Sequence, residues 1–135
     1  MALIDDIKKH EGFSPVVYQC TAGYDTIGYG QRVKYLKVTQ EQAEEWLLEE
    51  LQNLKYILAD KYDWFLPAPQ EAQDIVMNMN YQLGVTAFSK FKKTIKYIKV
   101  KDYKSASTEM LDSKWARDDT PRRAKELSDR MKHIG

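Results

Sequence analysis

Residues 10–30 read HEGFSPVVYQCTAGYDTIGYG, and the reading of the chain turns on them. Upstream, Leu3, Ile4 and Ile7 recur at helical spacing, and Gly12 is the residue type that ends helices in the left-handed conformation. Glu11 is therefore expected at a helix C-terminus. The negative end of the backbone dipole, and partial burial beside Phe13, Val17 or Tyr18, would both favour a carboxyl that keeps its proton near neutral pH, as a general acid must. Val16, Val17 and Tyr18, a turn over Gln19 to Gly23, and a returning run from Tyr24 to Tyr29 predict a β-hairpin. Cys20 falls at the turn. Thr26 shares a face of the returning strand with Tyr24 and Gly28, so Glu11, Cys20 and Thr26 can converge on one cleft. Gly28 and Gly30 leave room for a close approach to the backbone.

Downstream, residues 31–37 read as a short strand or loop. Thr39 and Gln42 form a capping box, and Ala43, Trp46, Leu47, Leu51, Leu54 and Leu58 then repeat at helical spacing, which predicts a helix over 40–59 with that stripe buried. Pro67 and Pro69 break the pattern. A second helix is expected from Gln70 to Gly84 with Ile75, Val76, Met79 and Leu83 inward and Asn78 as a cap or satisfied polar group. Phe88, Phe91, Ile95 and Ile98 predict one further helix and residues 102–112 another, with Tyr103, Ala106 and Met110 inward. Trp115 is expected in the core. Thr120 and Pro121 mark a helix start, a hydroxyl at the N-cap and proline at the first helical position, running to about His133.

The motif residues, once assembled, resemble the phage-type lysozymes. Those muralytic endolysins carry a Glu, an Asp or occasionally Cys nine positions on, and a Thr six further. Glu11, Cys20 and Thr26 stand at those positions, with Gly12, Tyr18, Thr21, Gly23, Ile27, Gly28 and Gly30 as surrounding matches. Further matches run through VTQEQAEEWL at 38–47, NMNYQLG at 78–84, AFSKF at 87–91 and SKWARDDTPRRAKEL at 113–127, so the likeness spans nearly the whole chain in order. It implies an α+β, mostly α, two-lobed fold of lysozyme type in a single domain over 1–135. The small β-containing catalytic lobe would take about 12–38, a linking helix about 39–60, and a helical lobe about 61–135 together with the N-terminal helix 1–11.

The resemblance also implies the chemistry: hydrolysis of bacterial peptidoglycan at the β-1,4 bond between N-acetylmuramic acid and N-acetylglucosamine, with Glu11 as general acid and Thr26 positioning water. No cofactor is implied. Tyr81 and Gln82 match an aromatic-Gln-hydrophobic-Gly motif and would line the cleft with Gly30, the phenol stacking on a sugar ring and the amide reaching acetamido groups. The Arg that matches Arg123 pairs with the catalytic Glu in the family. Position alone reads Tyr81 as a core aromatic and Arg123 as an ordinary surface residue.

Cys20 departs from the Asp of most relatives. A thiol with a pKa near 8.5 is mostly neutral at pH 7, so it replaces a carboxylate only if that pKa is lowered. No Lys or Arg lies near it in sequence, the nearest being Arg32. Three readings stand: a thiolate or hydrogen-bonding partner for the water, a weakened site in which Thr26 and Glu11 position the water, or lost activity. Water held by Thr favours inversion over a covalent route. Gln31, where many relatives have His, is a second departure. A lytic transglycosylase and a non-catalytic module binding cell wall or another anionic polymer are the competing readings.

The formal charge of +1 hides an asymmetry: residues 1–89 carry 7 basic and 13 acidic groups, residues 90–135 carry 14 and 7. A basic half suits an anionic polymer, or is simply a solvated Lys-rich surface. No nucleic-acid-binding motif appears, and nucleic acid is not an expected partner. One cysteine excludes an internal disulfide and a Cys-based zinc cluster, and His10 and His133 lack ligand spacing, so no metal is expected. Residues 1–10 lack a signal-peptide core, and nothing approaches the roughly 18 apolar residues of a membrane span. The expectation is a monomer held in the host cytoplasm until its release to the wall, a release for which the family uses a holin.

Overall fold

The structure, a computed structural model, describes residues 2–135 and divides into two compact units, Met1–Glu44 and Glu45–Gly135. The architecture is α+β and mostly α, with one small antiparallel sheet near the N-terminus.

In the first unit, α1 (Ala2–Glu11) ends as its sequence demands. Gly12 adopts φ +69° and returns its N–H to the Lys8 carbonyl at 2.9 Å, the single-bond left-handed cap. Strands β1 (Ser14–Gln19), β2 (Asp25–Gly28) and β3 (Gln31–Arg32) follow in spatial order β1-β2-β3, all antiparallel. Ser14 pairs with Gly28 and Tyr18 with Thr26, so β1 carries extra residues between those two pairs. Pro15 explains the irregularity: it has no N–H for the ladder, and the Ser14 hydroxyl oxygen instead accepts the Val16 N–H at 3.3 Å. Phe13 and Tyr29 meet with ring centroids 5.4 Å apart, and Lys8 Nζ lies 5.4 Å from the Tyr29 ring centre, which ties α1 to the sheet. A single 3₁₀ turn, Val33–Tyr35, leads out of β3.

Helix α2 (Gln40–Lys61) opens on the expected capping box. The Gln42 N–H donates to the Thr39 hydroxyl oxygen and the Thr39 N–H to the Gln42 side-chain oxygen, both at 3.1 Å. Its apolar stripe is buried only toward the end, which corrects the sequence expectation. Leu58 is fully buried and Leu51 and Leu54 partly so, whereas Trp46 and Leu47 are exposed. The helix is longer than the core that its last turns cover.

The second unit holds that core, centred on Leu58, Phe65, Ile75, Met79, Phe88 and Trp115. Between α2 and α3 (Gln70–Leu83), the proline-containing turn is fastened by buried Gln73, whose amide donates to the Leu66 and Ala68 carbonyls at 3.0 and 2.9 Å. Gly84, at φ +88°, closes α3 where the sequence places the stop. The next segment departs from expectation. Phe88 belongs to a separate short helix, α4 (Val85–Ser89), and α5 begins only at Lys92 (Lys92–Lys99). Phe91 leaves helical geometry at ψ 57° and packs its ring at 6.2 Å from Phe88 and 6.0 Å from Trp115, so aromatic packing interrupts the periodicity.

Helix α6 (Tyr103–Leu111) starts at Asp102, whose carboxylate accepts the Ser105 N–H at 3.2 Å. A π turn, Trp115–Asp119, carries the buried indole, and α7 (Pro121–Lys132) has proline at its start. Thr120 is the N-cap residue as expected, but its hydroxyl makes no cap. It accepts the Gln82 amide at 3.0 Å, a part-buried tertiary bond that takes the place of the local cap.

Candidate active site

Glu11 is the last residue of α1, placed by the Gly12 reversal, and its side chain is exposed rather than sheltered by Phe13, Val17 or Tyr18. With Gly12, Phe13, Ser14 and Tyr18 it borders an open hollow of about 270 Å³. What approaches Gly30 is the Glu11 carboxylate itself: a Cβ added at Gly30 would stand 2.6 Å from Oε2. Gly30 has φ +76°, so only glycine both adopts the turn and leaves that carboxylate its place. Gly28 is filled in the same manner by the Gln31 side chain, whose Oε1 accepts the Tyr29 N–H at 2.7 Å. Gln31 thus braces the β2–β3 turn.

The hairpin brings Cys20 and Thr26 together at one backbone carbonyl. Tyr24 C=O accepts the Cys20 N–H at 3.0 Å and the Thr26 hydroxyl at 2.8 Å, and Thr26 is 2% exposed. Hydrogen bonds from the backbone of Tyr24 and then of Ala22 hold the Cys20 thiol below its ordinary value. Partial burial opposes them, and the Thr26 side chain and the Arg32 charge reinforce them.

Arg32 is the residue that sequence distance set aside. It lies twelve positions from Cys20, yet β3 pairs it with Thr26, and its guanidinium carbon lies 3.9 Å from the centre of the Tyr24 ring. Counting the hairpin register past the Gly28–Gly30 turn would have found it.

Tyr81, Gln82 and Arg123 lie in the second unit. Tyr81 is 49% exposed at the end of α3, a surface aromatic and not a core one. Gln82 accepts the Trp115 indole N–H at 2.9 Å and donates to Thr120 at 3.0 Å, so it knits α3, the π turn and the start of α7. One amide hydrogen and one lone pair remain to it. Arg123 forks onto Asn78, donating from Nε at 2.9 Å and from Nη2 at 2.6 Å to the side-chain oxygen. Asn78 is thereby the satisfied polar group that its position on α3 suggests.

Among the described residues no helix is long and apolar enough to cross a membrane, and no group of three His, Cys, Asp or Glu could hold a metal ion. A family model described as phage lysozyme matches residues 8–133, which include every residue of the site. The chain is also similar to an endolysin of Acyrthosiphon pisum secondary endosymbiont phage 1, with 33% identity over 114 residues, covering 82% of this chain and 75% of that protein.

Proposed function

We propose, from the premise that this chain belongs to the phage lysozyme family, that it degrades peptidoglycan by hydrolysing the β-1,4 bond between N-acetylmuramic acid and N-acetylglucosamine. Glu11 is the general acid that protonates the bridging oxygen. Such assistance is worth ~10²–10⁴ in rate, and sugar distortion with oxocarbenium stabilisation supplies the rest. Cys20 acts as a thiolate that stabilises developing positive charge and orients water, and Thr26 positions the same water. The reaction inverts the anomeric centre, since water and not an enzyme nucleophile attacks. Tyr81, Gln82, Gly30 and Arg123 enter in the roles the family resemblance gives them, sugar binding for the first three and support of the acid for Arg123.

One observation carries this reading. The segment that the family model matches, residues 8–133, contains Glu11, Cys20 and Thr26, and the hairpin ties the last two to the same Tyr24 carbonyl. The test is clearing of peptidoglycan-exposed bacteria by the wild type and by Glu11→Gln, followed as turbidity. Clearing lost in Glu11→Gln, with new reducing ends on the released muropeptides, supports hydrolysis. Products with 1,6-anhydro ends would replace it with transglycosylation, and wall binding without clearing in either protein would replace it with a binding module.

A further inference from the structure

The pairing register of the sheet gathers four residues around the hairpin turn. Thr26 lies opposite Tyr18 on one side and Arg32 on the other, and Cys20 continues the register opposite Tyr24, donating its N–H to the Tyr24 carbonyl at 3.0 Å. Opposed residues share a face, and diagonal neighbours about 7–8 Å apart stay within reach of a long side chain and an aromatic one. Arg32 uses that diagonal, with its guanidinium carbon 3.9 Å from the centre of the Tyr24 ring. Among the described residues Arg32 enters no salt bridge, so this stack is what directs its side chain.

Little else fixes Tyr24. Thr26 is the one buried residue among those described in the first unit, so side-chain packing constrains the hairpin weakly. Yet the Tyr24 carbonyl accepts both the Cys20 N–H and the Thr26 hydroxyl, and rotation of that one peptide would break both bonds. The second bond also sets a polarity. With its proton committed to Tyr24 at 2.8 Å, the Thr26 hydroxyl offers lone pairs only, which hold a water by its hydrogen and leave the water's own lone pair free to attack. A ring clamped against β3 opposes the rotation that would undo this.

We propose that Arg32 is a positioning residue for the hydrolysis, acting through Tyr24: its guanidinium pins the ring to β3 and so keeps the Tyr24 carbonyl where it aligns Cys20 and Thr26 together. This rests on the reading above for what Cys20 and Thr26 do, and the test separates the two. Amide hydrogen exchange of the ¹⁵N-labelled full chain reads the clamp without any substrate. Losing an exposed cation–π stack should speed exchange of the Cys20 N–H about two- to fivefold in Arg32→Gln, with Arg32→Lys between. The Gly12 N–H, bonded to the Lys8 carbonyl at the end of α1, is the control and should not change. Arg32→Gln also removes a charge that bears on the Cys20 thiol, so Tyr24→Leu, which removes the ring alone, is measured beside it. Both should lower kcat for release of reducing ends from suspended peptidoglycan by at least the same factor at unchanged KM, the double variant should be no worse than the poorer single one, and Tyr24→Phe should recover what Tyr24→Leu loses. The proposal is overturned if Cys20 exchange is unaltered in Arg32→Gln and Tyr24→Leu, if Gly12 exchange accelerates equally, or if the variants raise KM at unchanged kcat, which would make Arg32 a sugar contact. Reducing ends still released by Glu11→Gln would instead sink the hydrolytic reading, and Cys20 exchange would still decide whether the stack holds the carbonyl.

Discussion

The Glu11 carboxylate rests on the backbone of Gly30, with Oε2 2.6 Å from the point a Cβ would occupy there. The end of α1 and the β2–β3 turn are therefore joined by a contact that a side chain at position 30 would displace. This relationship makes the placement of the Glu11 carboxylate depend on a residue nineteen positions away.

Gly30→Ala should consequently cost both stability and activity. A non-glycine residue in the left-handed region costs about 1–2 kcal/mol, and the added methyl must also push the Glu11 side chain aside. Gly12→Ala is the control, since Gly12 has φ +69° but nothing within 4 Å of an added Cβ. The expected outcome is similar destabilisation in thermal unfolding for the two variants, with the greater loss of bacterial clearing per folded molecule in Gly30→Ala. Equal clearing would mean that the Glu11–Gly30 contact does not position the acid.

Cys20 should react with iodoacetamide at neutral pH faster than a free cysteine does. Its thiol pKa is held down first by hydrogen bonds from the Tyr24 and Ala22 backbone and last by Arg32. A lowered pKa means more thiolate below the ordinary value and no advantage well above it. Arg32→Gln should therefore slow alkylation at pH 7 and converge with the wild type at high pH, whereas Arg32→Lys should lie between. If the thiolate serves the reaction, Cys20→Ser should lower clearing by about 10²-fold or more. Cys20→Asp should stay active to lower pH, because its carboxylate remains ionised down to about pH 4. Unchanged clearing in Cys20→Ser would remove thiolate chemistry from the mechanism.

Gln82 should matter to folding as much as to any sugar. Replacing it by Leu leaves the Trp115 indole N–H, in a residue only 2% exposed, without its acceptor, and strands the Thr120 hydroxyl as well. The expected loss is about 1–3 kcal/mol, read as a lower urea midpoint at unchanged slope. Gln82→Glu keeps an acceptor for the indole and should lose less. A Leu variant as stable as the wild type would show that the amide bridge contributes nothing net.

Features set by neighbours a few residues apart were legible in the sequence. The Gly12 helix end, the hairpin around Cys20, the Thr39–Gln42 box and the Gly84 stop each need only local dihedral or hydrogen-bonding preferences. Features decided by distant partners were not. Thr120 has the residue type of a cap, but Gln82, 38 positions away, takes its hydroxyl. Phe88 and Phe91 keep helical spacing, yet the ring of Trp115 helps draw Phe91 out of the helix. Leu47 repeats in register with Leu58 and is still exposed. At the site, Glu11, Cys20 and Thr26 were marked by residue type and spacing, whereas Arg32 reaches Tyr24 only through the pairing of β3 with β2, which periodicity does not encode.

Lys101→Gly should stabilise the second unit. Lys101 has φ +64°, the one non-glycine residue at positive φ among those described, and it terminates α5. The Asp102 N–H returns to the Tyr97 carbonyl at 2.9 Å and the Lys101 N–H to the Ile98 carbonyl at 3.0 Å. Those are the two bonds of a Schellman motif, whose left-handed position favours glycine. The strain relieved is about 1–2 kcal/mol, offset by the larger backbone entropy of glycine in the unfolded chain and by loss of a cation near the negative helix end. A net gain of about 0.5–1 kcal/mol should raise the unfolding midpoint by about 2–4 °C. Val100→Gly, at an ordinary φ of −94°, incurs the entropy without relieving strain and should lower it. If both glycine variants move the midpoint in the same direction, the left-handed geometry at Lys101 is not what limits this helix end.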